Sequence, residues 1–142
     1  MLEKLSSLAH IATAFGVVFA ACQLFLNHKQ SVTKFEDSLA KEYRAIIAKL
    51  PTKALLGESL SNREHAECLD DFYRYFDLCN EQVFLHESGR VSDETWEFWR
   101  DGITSNLKRP AFGRAWIEIS SRANGDFSEL RKLFPPPIFS EN

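Results

Sequence analysis

Apolar and polar positions fall along this chain in two regimes. From Leu5 to Leu26 the sequence LSSLAHIATAFGVVFAACQLFL carries no charged side chain, and its polar positions are hydroxyls, His10 and Gln23. As a helix this run measures roughly 33 Å at about 1.5 Å per residue, enough to cross a hydrocarbon core of about 30 Å. It predicts an N-terminal transmembrane anchor within residues 1–27. A cleaved lipoprotein signal is the competing reading, because Phe19-Ala20-Ala21-Cys22 loosely imitates a cleavage box. The apolar run continuing through Leu24-Phe25-Leu26 argues for an uncleaved anchor.

Beyond Lys29 the apolar residues recur at helical spacing. Val32, Phe35, Leu39, Tyr43, Ile46 and Leu50 step by three and four, and Pro51 ends the run. PTKALLGE (51–58) reads as a connector with Leu55 and Leu56 directed into a core. Ser61 and Glu64 form a capping box ahead of a long helix whose apolar face is Cys68, Leu69, Phe72, Phe76, Cys79 and Val83. Ser88-Gly89 closes that helix, and Val91-Ser92 opens another bearing Trp96, Trp99, Ile103 and Leu107. Pro110 suits the first turn of a helix lined by Phe112, Ala115, Trp116 and Ile119. Asp126 is placed to cap a last helix with Phe127, Leu130 and Leu133, which Pro135-Pro136-Pro137 stops. No stretch alternates with the two-residue period of a sheet. The expected fold is all-α: an N-terminal transmembrane helix, a small helical bundle over residues 28–134, and a Pro-rich tail over 135–142.

Composition narrows the function classes. At 142 residues there is room for one domain beyond the apolar segment. A net charge of −3 supplies no basic field, so a nucleic-acid polymer is not an expected partner. Three cysteines, Cys22, Cys68 and Cys79, are an odd count and do not form a disulfide framework. One lysine, Lys4, precedes the apolar run, whereas Lys29, Lys34, Lys41, Arg44 and Lys49 follow it. The positive-inside rule then puts the N-terminus outside and the C-terminal domain in the cytoplasm.

Several residue groups invite chemistry. His65, Cys68, Cys79 and His86 are ligand types, but Cys68 and Cys79 lie about 16 Å apart along one helix, so no metal and no other cofactor is expected. No nucleophile elbow and no Gly-rich phosphate loop occurs, and the chain is not expected to be an enzyme. The acidic cluster Asp70, Asp71, Asp77 and Glu81 is interleaved with Arg74, as in surface ion pairing. Trp96, Trp99, Arg100, Lys108, Arg109 and Arg114 form the most suggestive set, since aromatic faces beside guanidinium groups clamp anionic, nucleotide-like ligands. Trp96, Phe98 and Trp99 cannot all face one way, so at least one aromatic there is expected to be exposed. Ala12, Gly16 and Ala20, four apart, form a small-residue stripe for self-association of the apolar helix.

The phrases KFEDSLAKEYRAIIAKLPTKALLGE, DDFYRYFDLCNEQVFLHESGRVSDETWEFWRDGI and LKRPAFGRAWIEI, set behind the apolar segment, resemble a family of uncharacterised bacterial proteins with one N-terminal membrane helix and a small helical cytoplasmic domain. The likeness extends from Leu5 to about Leu133, and its most recognisable parts surround Gly89 and run from Arg109-Pro110 to Trp116. It implies a single-pass protein of the bacterial inner membrane and transfers no functional residue. The leading expectation is a membrane-anchored, non-catalytic interaction and oligomerisation module acting as a homo-oligomer. The alternative is a ligand-gated membrane effector whose cytoplasmic domain binds a small anionic signal.

Overall fold

Helical periodicity dominates because nearly every apolar residue after Lys29 sits three or four places from another. The computed structural model describes residues 2–123 and 125–136, with side chains from residue 15 onward. Its elements are α1 (Leu2–Ile47), α2 (Thr52–Leu55), α3 (Asn62–Glu67), α4 (Leu69–Glu87), α5 (Asp93–Leu107), α6 (Pro110–Arg122) and α7 (Ser128–Leu133). Among the described residues there is no strand, as the absence of two-residue alternation foretold. The chain divides into two compact units, Met1–Phe35 and Glu36–Asn142.

In the first unit, α1 exposes Phe15, Val17, Val18, Phe19, Leu24, Phe25 and Leu26. The expectation of a transmembrane helix is not met: among the described residues no helix is long and apolar enough to cross a membrane. Hydroxyls, His10 and Gln23 dilute the apolar run, and Asn27, His28 and Lys29 end it. The localisation built on the span falls with it: a single-pass protein of the inner membrane with the N-terminus outside and the C-terminal domain in the cytoplasm.

In the second unit α4 is the hub. Phe72, Tyr75, Phe76, Leu78, Cys79, Gln82, Val83 and Leu85 are all buried, so its neighbours cover most of its circumference. Phe112 of α6 meets Phe72 and Tyr75 edge-on, each at a centroid distance of 5.1 Å. Phe76 packs on Trp116 at 5.0 Å, and Phe127 closes over Trp116 at 5.8 Å. Edge-to-face aromatic pairs of this kind contribute about 0.5–1.5 kcal/mol each beyond the area they bury.

The helix ends follow local chemistry. Ser61 and Glu64 form the expected capping box: the Ser61 N–H and hydroxyl donate to Glu64 Oε2 at 2.9 and 2.7 Å, and the Glu64 N–H donates to Ser61 Oγ at 3.3 Å. α4 ends in a Schellman turn at Gly89 (φ +67°), with Gly89 N–H to the His86 carbonyl and Arg90 N–H to the Leu85 carbonyl, both 2.9 Å. Pro110 occupies the first turn of α6.

Three local expectations change. The helix beginning at Ser61 breaks at Cys68, whose thiol donates to the Glu64 carbonyl at 2.9 Å, a back-bond of the sort that bends helices. Leu56 is exposed and Ala54 is buried instead, because residues 52–55 coil into α2 and turn Ala54 inward. α7 is capped from a distance: Asn80 Oδ1 of α4 accepts the N–H groups of Glu129 and Leu130, both at 3.0 Å, in the place expected for Asp126. Phe127 holds a left-handed backbone (φ 60°, ψ 35°) that costs a phenylalanine about 1–2 kcal/mol, offset by burying its ring against Trp116 and Tyr73.

Phe76→Ala should destabilise the domain by about 3–5 kcal/mol in urea unfolding, the usual cost of emptying an aromatic core site. The capping box supplies a pH signature. The Lys53 ammonium, 2.6 Å away, and then the Ser61 donors hold the Glu64 carboxyl down to about 2 from its ordinary 4.5. A depressed carboxylate stabilises the fold fully above its ordinary value and loses that contribution as pH falls toward the folded value. The difference in melting temperature between the native chain and Glu64→Gln should therefore be largest near neutral pH and close between about pH 4.5 and about 2.

Candidate functional site

Where the C-terminal part of α1 crosses α4 and α5, side chains leave a cavity of about 370 Å³. The walls come from three helices. Ala40, Tyr43 and Arg44 face it from α1, Tyr75, Cys79 and Gln82 from α4, and Phe98, Trp99, Asp101, Gly102 and Ile103 from α5. The steps of three and four along α1 and α4 place those side chains on common stripes. The α1 wall is fixed by Leu39 and Ile46, both buried, and by Glu36, whose Oε1 accepts the Ser92 N–H and hydroxyl at 2.8 and 2.9 Å. That contact ties α1 to the residue that N-caps α5.

The chemistry of the cavity is aromatic and hydrogen-bonding. Tyr43 and Tyr75 lie 6.4 Å apart across it. The Tyr75 hydroxyl accepts Asn106 Nδ2 at 2.9 Å, and burial raises its phenol well above the ordinary range. Burial likewise pushes the Cys79 thiol up to about 12, so it stays protonated at neutral pH and is no nucleophile. Gln82 is 3% exposed, and its carboxamide has no hydrogen-bond partner among the described residues. Arg44 has no ion-pair partner among the described residues. Gly102 leaves its wall open, since a Cβ there would meet nothing within 4 Å.

The six residues expected to form an aromatic–basic clamp are dispersed. Trp96 is buried and stacks on the His86 ring at 4.6 Å, and Trp99 lines the cavity. Arg100 lies 4.0 Å from Asp101. Arg109 donates to Asn106 Oδ1 at 2.6 Å, and Arg114 donates to Asn62 Oδ1 at 2.9 Å, while Lys108 is an exposed C-cap. The exposed aromatic that α5 required is Phe98, at 79%. Of the small-residue stripe, Gly16 and Ala20 are exposed on α1, and the Ala12 side chain lies outside the described residues.

A second polar cluster joins His65 Nε2 to Glu118 Oε2 at 2.7 Å beside Phe72. The hydrogen bond from His65, followed by that from Arg122, holds the Glu118 carboxyl below its ordinary range. Neighbouring Cys68 gives its proton to backbone carbonyls, and burial raises its pKa, so it gains no thiolate character from the histidine. Among the described residues no three His, Cys, Asp or Glu side chains converge as a metal site.

Sequence reasoning missed Tyr43, Arg44, Gln82, Asp101 and Gly102. One signal was available: Gln82 interrupts an otherwise apolar stripe between Cys79 and Val83. No protein family, curated protein or solved structure matches the chain.

Two outcomes follow from this geometry. Cys68 and Cys79 should resist iodoacetamide in the folded chain and react once it is unfolded, as peptide mass spectrometry would show. Gly102→Ala should stabilise the fold by up to about 1 kcal/mol in urea, because it removes a helix-interior glycine without a clash.

Proposed function

We propose that the chain is a non-catalytic interaction module that pairs with a second copy of itself through the exposed arm of α1. The observation that carries this reading is the set of large apolar side chains that the first unit leaves uncovered, including Phe15 at 73% and Phe25 at 67% exposed. A helix apolar over most of its circumference is stable only when something covers it, and burying one phenylalanine contributes about 1.5–3 kcal/mol. Phe15, Val18, Cys22 and Phe25 step by three, four and three along α1, the spacing of a self-complementary helical seam. No charge falls between Phe15 and Leu26, so two copies meet there without repulsion. The stripe of Gly16 and Ala20 lies about 140° round the helix from Cys22 and offers little apolar area by comparison.

Cys22 is the exposed cysteine on the seam, whereas Cys68 and Cys79 are buried. A short bismaleimide applied to cells expressing the full chain should therefore yield a covalent dimer that Cys22→Ser abolishes. Phe15→Ser with Phe25→Ser should reduce it several-fold, and Gly16→Ile should leave it unchanged. Absence of a dimer would refute the proposal. A dimer lost in Gly16→Ile but kept in the phenylalanine variant would move the contact to the small-residue stripe and overturn the seam.

A further inference from the structure

We infer that the cavity between α1, α4 and α5 is a binding site for a small planar heteroaromatic anion, with Gln82 reading its hydrogen-bonding edge and Arg44 its charge. The inference is independent of pairing through the arm. A carboxamide that no protein group pairs takes its hydrogen bonds from water or from a ligand, since proteins satisfy nearly all such groups. Gln82 is 3% exposed, has no hydrogen-bond partner among the described residues, and lines a space of about 370 Å³, so its carboxamide is open to whatever fills that space. That volume falls within the range of small-ligand pockets, which are mostly apolar with a few placed polar groups.

The class of ligand follows from the walls. A carboxamide presents one donor and one acceptor side by side, and its complement is a ring edge with the same pair reversed, as on adenine or a lactam. Tyr43, Tyr75, Phe98 and Trp99 supply aromatic surface to such a ring. Two charged groups also line the cavity. Asp101 has Arg100 at 4.0 Å, whereas Arg44 has no ion-pair partner among the described residues and supplies the cation to an anionic substituent. A planar base bearing one anionic substituent meets all of these features. Gly102 provides room, since its missing side chain leaves that stretch of α5 open.

Titration of the full chain with adenosine monophosphate, followed by tryptophan fluorescence and calorimetry, tests the inference. Saturable binding is expected, with the signal from Trp99 lost in Trp99→Phe while the heat of binding persists. Gln82→Met keeps the side-chain length but removes both hydrogen-bonding groups. It should weaken binding by about tenfold or more and leave the melting temperature equal or higher. Arg44→Gln should abolish the preference for the monophosphate over uncharged adenosine and flatten the salt dependence. No saturable binding at millimolar nucleotide would overturn the inference, as would undiminished binding by Gln82→Met. A marked fall in melting temperature for Gln82→Met would show a structural partner for the carboxamide and equally defeat its role as a reader.

Discussion

The burial of α4 is the constraint on which the rest of the second unit depends. A helix of nineteen residues that hides Phe72, Tyr75, Phe76, Cys79 and Val83 must be covered on several sides at once. α6 brings Phe112 and Trp116 to one side, α7 is fastened by Asn80, and α5 and the end of α1 close the other. Four of its aromatic and histidine-stacking neighbours, Phe112, Trp116, Tyr43 and Trp96, come from three different helices. The cost of the left-handed Phe127 belongs to the same logic, because the kink is what brings its ring onto Trp116.

The same constraint produces the cavity. α1 and α5 meet α4 along a stretch where α5 offers Gly102 and the half-buried Trp99 in place of close-packed branched side chains. Tyr75 belongs to both regions: its ring packs on Phe76 and Phe112, and its edge faces the open space. The cavity thereby has one wall on the heavily buried α4 rather than on a loop. The α1 arm follows a different rule. Its large apolar side chains, from Phe15 to Leu26, stay exposed.

Much of this fold was legible in the sequence, and the reasons are local. Ser61 with Glu64, Gly89 and Pro110 each announce a helix end through chemistry confined to one turn, and all three serve as their residue types suggest. The apolar stripe of α4 likewise announced Phe72, Phe76 and Cys79 as core. What local pattern could not supply was any contact made at a distance. The Asn80 cap on α7 joins positions about fifty residues apart, and Arg131 donates to the Ser120 and Ala123 carbonyls at the end of α6. The cavity is of this second kind, because its walls come from three helices and only Trp99 of the expected clamp reaches it. The long uncharged run belongs with these, because its composition does not say what its side chains meet.

Native-state hydrogen exchange of the full chain measures the central claim, that α4 holds the domain together, most directly. If it does, the amides from Phe72 to Val83 exchange slowest of all and only through global unfolding, at the free energy that urea unfolding gives. The α7 amides exchange earlier, through local opening. Amides of α4 that open at markedly lower free energy than those of α5 and α6 would contradict the account.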